Sequence, residues 1–426
     1  MLDIKFIRDN KDLVKEAARK KHLSFDVDEL LEIDKKRIEL LQIVEGKRAE
    51  QNKASEEIVR VTDSIAKEKI KKDMKILKEQ LVGSEELLKS ITTQWQLMML
   101  SVPNIPDISV PEGESDEQNK EVKAWGEKTK FDFEPKDHVE LMTELGLADF
   151  ERGVKVHGFR GYFITGDGLK LTMAIWQYAL DFWSAKGYLP ILAPAIANRE
   201  SFLANGYLPQ GEDDLFKTQD GQFLAGTAEV PLMGMFADEV LEDLETNPRK
   251  YIGFSFAFRR EIGAHSKDVK GLIRVHEFHK WEQVVLCEAN HQTSVDLHEE
   301  INRNTEEFIE SLEIPYHTVL NCAGDLGLGQ VKKYDIELWV PKEEKYREIS
   351  SASYFHDFQT RRGNIKYKGA DGVSRFAHSL NCTAIPTPRI LVSLIENYQN
   401  KDGSITVPKV LQKYMGGQEK ISKKAL

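Results

Sequence analysis

"FRREIGAHSKDVKGLIRVHEFHKWE", residues 258–282, is crowded with Arg, Lys, His and Glu, yet apolar residues close it in on both sides. Phe254, Phe256 and Phe258 lead into it, and Val284, Val285 and Leu286 follow. A strand places alternate side chains on opposite faces. Read as a strand, 272–286 puts Arg274, His276, Phe278, Lys280 and Glu282 on one face and Val275, Glu277, His279 and Trp281 on the other. The run 252–261 alternates likewise, with Ser255, Ala257, Arg259 and Glu261 together. Between them "GAHSKDVKG" (263–271) is polar and has Gly at both ends. A long antiparallel hairpin with a charged face is expected. Most such faces are solvated. Here the apolar flanks, the mixed signs and Phe278, placed like a stacking platform, favour a face that meets a ligand, because charges buried without partners cost roughly several kcal/mol each. No G-x-x-x-x-G-K-[ST] and no G-x-G-x-x-G after a strand occurs, so a nucleotide here would have its phosphates held by arginines rather than by a Gly-rich loop.

Outward from that hairpin the chain has two unlike parts. Residues 28 to about 100 hold no Pro and only two Gly, Gly46 and Gly83. Apolar residues recur at Ile70, Met74, Leu77, Leu81, Leu88, Ile91, Trp95 and Met98, in steps of three and four with a gap at Ser84, which is a heptad seam. The earlier half is weaker: Leu31, Ile38, Leu41, Val44, Ile58, Val61 and Ile65 fit, while Arg48, Gln51 and Ser55 interrupt. Two antiparallel helices turning near Thr62–Lys67 are expected, with one longer helix pairing with another chain as the rival. "SVPNIPDISVPEGESDEQN" (101–119), with three prolines, reads as the linker to a second part in which strand-like and helix-like segments alternate. "MAIWQYALDFWSAKG" (173–187) is a helix and "YLPILAPAIA" (188–197) a proline-interrupted strand.

The 426 residues allow two or three domains. A net charge of -11 argues against binding nucleic acid over the whole surface, but Arg60, Lys67, Lys69, Lys71, Lys72, Lys75 and Lys78 form a local basic run. It is either a solvated helix face or a phosphate-contacting tip. The N-terminal residues lack the apolar core of a signal peptide, and no run approaches the ~18 residues of a membrane span. Three widely spaced cysteines, Cys287, Cys322 and Cys382, fit a reducing compartment.

Two further stretches carry chemistry. "VPKEEKYREISSASYFHDFQTRR" (340–362) supplies Glu348, Ser350 and Ser351, and Glu348 with Ser351 could hold Mg²⁺ against phosphate oxygens; a hydrogen-bonded core Glu is the alternative. "YDIELWV" (334–340) offers Asp335 and Glu337 as a weaker pair. "LNCTAIPTPRILVSLIENYQ" (380–399) carries Asn381, Thr383 and Arg389, the Arg starting an apolar helix, where it either binds an anion or snorkels. "HEFH" (276–279) lacks zincin spacing, and Cys287 with His291 lacks further ligands, so a zinc site is set aside.

Together these pieces resemble the three motifs of the class II aminoacyl-tRNA synthetases, and within them the bacterial-type seryl-tRNA synthetase family. "TAEVPL" (227–232), the hairpin, the 346–362 and 380–399 stretches and the start "MLDIKFIRDN" carry the resemblance, in order, over essentially the whole chain. It implies an α+β fold: a helix-flanked antiparallel-sheet catalytic domain at 104–426, after a 1–103 tRNA-binding domain with a two-helix coiled-coil arm. It implies a serine–tRNA ligase that uses ATP and Mg²⁺ to make seryl-adenylate and charge tRNA(Ser), and tRNA(Sec) where present. Serine would meet Thr227, Ala228, Glu229, Arg274, Glu282, Asn381 and Thr383. ATP would meet Arg259, Arg260, Glu261, Phe278, Lys280, Glu348, Ile349, Ser350, Ser351 and Arg389, with Arg259, Arg389 and Glu348 catalytic and Glu348 and Ser351 on the metal. Arg274 could equally be an ATP contact. A cytoplasmic homodimer, joined through the segment around Pro194, is implied as well. Gly226, Ala352, Tyr354, His356, Cys382, Ala384 and Pro388 depart from the family's usual residues. A second reading, a synthetase-like module that no longer charges tRNA, is opposed by Arg259, Glu261, Glu348 and Arg389.

Overall fold

A computed structural model describes residues 1–264, 268 and 270–423. His265, Ser266, Lys267 and Val269, in the middle of the expected hairpin loop, lie outside the described residues. The chain divides into two compact units, Met1–Arg19 with Leu23–Pro103, and Lys20–His22 with Asn104–Leu426.

The first unit is helical: α1 (Ile4–Asp9), α2 (Lys11–Lys20), α3 (Val27–Arg60) and α4 (Ser64–Ser101). Asp26 and Asp63 cap α3 and α4, each accepting main-chain N–H bonds from the first turn. The chain reverses over Val61–Asp63, so α3 and α4 lie against each other within one chain. The seam of α4 is as expected, with Leu81 buried and its neighbours at three- and four-residue steps half-buried. At the gap, Ser84 Oγ accepts from Lys47 Nζ at 2.9 Å. On α3 the expectation needs correcting. Leu41 is exposed, as is Ile65 at the start of α4; the seam side of α3 is Arg37, Leu40, Val44, Lys47, Gln51, Ala54 and Ile58. Polar side chains hold part of it, and hydrophobicity alone could not set its phase.

The second unit is built on an eight-stranded sheet. Its strands are β1 (Lys120–Trp125), β2 (Leu189–Leu192), β3 (Arg249–Phe258), β4 (Glu277–Cys287), β5 (Tyr316–Leu320), β6 (Lys332–Val340), β7 (Lys345–His356) and β8 (His378–Thr387). Their order is β1-β5-β6-β7-β8-β4-β3-β2, antiparallel except for β2 beside β3. Pro190 is tolerated because β2 is an edge. Its helices include α5 (Gly166–Ala185), α6 (Glu229–Met235), α7 (His291–Ser311), α8 (Phe358–Arg362) and α9 (Arg389–Asn397). The main core joins Ile175 and Trp183 of α5 and Ile301, Phe308 and Ile309 of α7 to Trp281, Val285, Ile336 and Leu338 of the sheet. Gln283 of β4 donates to Ile301 O and Thr305 Oγ1 of α7, so odd-numbered β4 residues point at the helices; on the other face Val284 and Leu286 pack in a second core, while Phe278, Lys280 and Glu282 line cavities.

The hairpin is shorter than alternation implied. Its ladder ends at Phe258 opposite Glu277, and 272–276 are bends rather than strand. Gly271, at φ +77°, sits where an added Cβ would lie 2.1 Å from His138 Nε2, and that nitrogen accepts from Leu272 N. This close approach folds the segment back as a wall, with Leu272, Ile273 and Val275 buried.

Candidate active site

Two adjoining cavities lie over β4, β7 and β8, and Arg259, Lys280, Glu348 and Thr383 line both. The first is aromatic and basic. Arg259, just past the end of β3, holds its guanidinium carbon 5.3 Å from the centre of the Phe278 ring. Arg274 Nη1 donates to Glu261 at 2.5 Å, and Glu261 itself adopts a left-handed backbone, φ +54°. Arg389, first residue of α9, is aimed by two carbonyls: Nε donates to Ile273 O at 2.9 Å and Nη1 to Glu348 O at 3.0 Å. Burial pulls its guanidinium below the usual range, Arg259 and Arg274 add to this, and Glu348 opposes. Three guanidiniums beside one aromatic face suit a purine bearing phosphates.

The second cavity, about 340 Å³, is lined by Thr227, Glu229, Glu282, Asn381 and Gln359 besides the shared residues. Lys280 and Glu282, successive residues on the inner face of β4, form a buried ion pair. Thr383 bridges them: its Oγ1 accepts from Lys280 Nζ at 3.2 Å and donates to Glu282 Oε2 at 3.2 Å. Glu229 is pushed up to about 7, chiefly by burial and then by Glu282, against the bonds from Gln359 and Asn381. Buried polar groups with this much pairing capacity suit a small polar ligand.

Two β-bulges shape the site. Between β6 and β7, Ile336 pairs with Ser350 and Glu337 with Glu348, so Ile349 is the extra residue. In a regular strand Glu348 and Ser351 would face opposite ways; the bulge brings both into the second cavity. Between β8 and β4, Thr383 pairs with Glu282 in the unbroken register that starts at His378, and the ladder then steps to Ile385 opposite Trp281, with Ala384 as the extra residue. Behind Glu348 and Ser351, burial pushes Asp335 up to about 6, with Lys333 opposing and Glu348 adding.

Most residues singled out in the sequence converge here, and some do not. Arg260 donates to Asp213 O, outside both cavities. Ala228 packs in a core with Leu232 and Tyr251. Ser350 turns to the Thr383 carbonyl and Cys382. Arg274 lines the aromatic cavity and not the acidic one. His276 leaves the charged face, bonding Arg259 O through Nδ1 and stacking on His157. Glu337 is engaged by His317. Sequence reasoning missed Gln359, whose amide donates to Glu229 at 2.7 Å and whose oxygen accepts from Ser379. It also missed the Gly327–Gln330 wall. Neither carries a composition or spacing signal.

An antiparallel sheet with an arginine-lined nucleotide-type cavity is the class II aminoacyl-tRNA synthetase arrangement, and the profile of the class II core domain (G, H, P, S and T) matches residues 216–398. The profile of the seryl-tRNA synthetase N-terminal domain matches residues 1–106. The chain is 43% identical to a serine–tRNA ligase of Deinococcus radiodurans, over 98% of each chain, and 42% identical to one of Thermodesulfovibrio yellowstonii, over 98% of this chain and 99% of that one. It superimposes on a crystal structure of seryl-tRNA synthetase from Pyrococcus horikoshii complexed with ATP with a TM-score of 0.90, 35% identity and full coverage of both chains. The chain belongs to the seryl-tRNA synthetase family.

Proposed function

We propose that the protein activates L-serine with ATP and transfers it to tRNA(Ser), and to tRNA(Sec) where the cell has one. Family membership over the full chain supports the reaction. The observation that carries the site is the pairing of the two cavities through Arg259 and Lys280. Adenine stacks on Phe278, and Arg259 and Arg389 neutralise the phosphate that is attacked. The serine carboxylate attacks the α-phosphorus in line, leaving pyrophosphate and seryl-adenylate. A carboxylate needs no general base, so this chain's residues act by positioning and charge. Glu282 and Thr383 pair with the serine hydroxyl, while Thr227, Glu229 and Asn381 complete the pocket. Alanine would leave those groups unpaired, which rejects it more strongly than a missing methylene could. A ribose hydroxyl of the tRNA end then attacks the activated carbonyl.

The hard oxygen donors Glu348 and Ser351, brought to one face by the bulge, fit Mg²⁺ with phosphates as its other ligands. When bound, the ion supplies charge neutralisation and orientation of the phosphates. On the arm, Arg60, Lys67, Lys69, Lys71, Lys72, Lys75 and Lys78 are all exposed, which suits phosphate contact with tRNA. A homodimer is supported by exposed apolar side chains at Leu189, Leu192, Ile196 and Phe256. Cytoplasmic residence accords with three free cysteines, and no described helix is long and apolar enough to cross a membrane.

ATP–pyrophosphate exchange without tRNA, run separately with serine, alanine, threonine and glycine, tests the reading. Exchange with serine alone is expected. No exchange with any amino acid would replace it with the non-charging module.

A further inference from the structure

Lys21 is a buried lysine, 3% exposed, that the reaction does not use. Its segment, Lys20–His22, belongs to the unit that contains the sheet. Its ammonium donates to three main-chain carbonyls: Gly327 O at 3.0 Å, Leu328 O at 3.0 Å and Gln330 O at 2.6 Å. The fourth carbonyl of the run, Gly329 O, accepts from the Asn104 amide at 3.0 Å, and Asn104 N also donates to Leu328 O at 2.9 Å. Every carbonyl from Gly327 to Gln330 is therefore tied to Lys21 or Asn104, neither of which lines the acidic cavity. The same residues form that cavity's wall. Gln330 braces the wall, accepting from Gly327 N at 2.6 Å and donating to Ser353 Oγ at 2.8 Å.

Ammonium burial is costly, and burial alone brings this one down to about 7. Such a cost is retained where the charge organises something. Four backbone dipoles with their negative ends engaged outside the cavity do not add to the field of Glu229 and Glu282, which a ligand carboxylate must enter. A wall without regular secondary structure is also fixed in place.

We propose that Lys21 is a positioning residue for the serine subsite, gathering the Gly327, Leu328 and Gln330 carbonyls behind the wall that serine packs against. The inference rests on the assignment of the acidic cavity to serine.

The test uses Lys21→Met, Lys21→Gln and Lys21→Arg in the full chain, with serine and ATP titrated separately in pyrophosphate exchange. Hydrogen exchange of the Gly327–Gln330 amides is followed in parallel. In Lys21→Met the serine KM is expected to rise about tenfold or more, the ATP KM to stay within about twofold, and the wall amides to exchange about tenfold faster. Lys21→Arg should recover most of the serine KM. If Lys21→Met does not fold, Lys21→Gln, which retains donors, decides: a serine KM up about threefold at constant ATP KM supports the role. Unchanged serine KM in a folded Met or Gln variant overturns it, as does a parallel rise in both KM values. Wild-type protein showing no serine-dependent exchange overturns the serine assignment itself and this inference with it; the amide exchange then still reports whether Lys21 holds the wall.

Discussion

The arm and the sheet use the same charged residues in opposite ways. On α4, Lys71 pairs with Glu68 while their side chains remain 57% and 78% exposed. On β4, Lys280 pairs with Glu282 at 5% and 3%. A surface pair of the first kind is screened and contributes little to stability. Removing one partner of the second kind strands a buried charge, at about 3–5 kcal/mol. On the proposed function, the arm keeps its cations hydrated for a polyanion that arrives from solution, and the sheet holds its charges desolvated, where each has one geometry with which to discriminate.

The sharpest way to break this comparison is to delete residues 30–98. Charging of tRNA should fall by about 100-fold or more, since multiple phosphate contacts go at once, while serine-dependent pyrophosphate exchange stays within about twofold. Charging at the full rate would leave the arm with no tRNA role, and loss of exchange would show that the sheet does not work without it. Next in size is Glu282→Ala. It removes the partner of Lys280 and of Thr383, so kcat/KM for serine should fall by about 3 kcal/mol, roughly 100-fold, with a loss of folding stability in denaturant. Replacing the pair together, as Glu282→Gln with Lys280→Met, should restore stability and leave activity low. An unchanged kcat/KM in Glu282→Ala would remove Glu282 from the site.

Much of this was legible because the two periodicities are strong signals. Steps of three and four found the seam of α4, and alternation found Phe278, Lys280 and Glu282 on one face. What alternation cannot see is where it fails. The bulge at Ile349 brings Ser351 to the face of Glu348, and a bulge has no fixed sequence mark. The strand reading of 272–276 failed because Gly271 packs on His138, a contact across 133 positions of chain. The turn of Ala228 into a core was hidden because α6 begins at the next residue, Glu229, and a helix start changes which side chains face out. Gln359 was missed because a glutamine on a short helix looks like surface until the sheet buries it.

A third test, of similar size, asks whether burial sets the behaviour of the acidic cavity. Glu229 is raised from 4.5 to about 7 in the folded protein, so between those values the folded state holds a proton that the unfolded state has lost. Its contribution to stability is present below about pH 4.5 and is lost as pH rises through about 7. Glu229→Gln, permanently uncharged, should match wild type near pH 4.5 and exceed it at pH 8 by about 3 kcal/mol in denaturant titrations. A pH-independent difference would mean that Glu229 is as well solvated as an arm carboxylate.

The smallest effects come from glycines, and they have opposite signs in the two regions. Gly253 lies in β3, where an added Cβ would come within 2.7 Å of Leu232 Cδ1 and 2.8 Å of Ala228 Cβ. Gly253→Ala should therefore overpack the core between β3 and α6 and cost about 1–3 kcal/mol. Gly46 and Gly83 sit inside α3 and α4 with no atom within 4 Å of an added Cβ. There, Ala carries no clash and removes the entropy that Gly loses on entering a helix, so Gly46→Ala and Gly83→Ala should each stabilise the arm by about 0.5–1 kcal/mol. Hydrogen exchange of α3 and α4 amides in the full chain resolves a change of that size. Slower exchange confined to the arm is expected, with serine-dependent pyrophosphate exchange unaltered. If tRNA charging weakens as the arm stiffens, the glycines are there because the arm must bend around its partner, and the arm's loose, polar seam has the same reason.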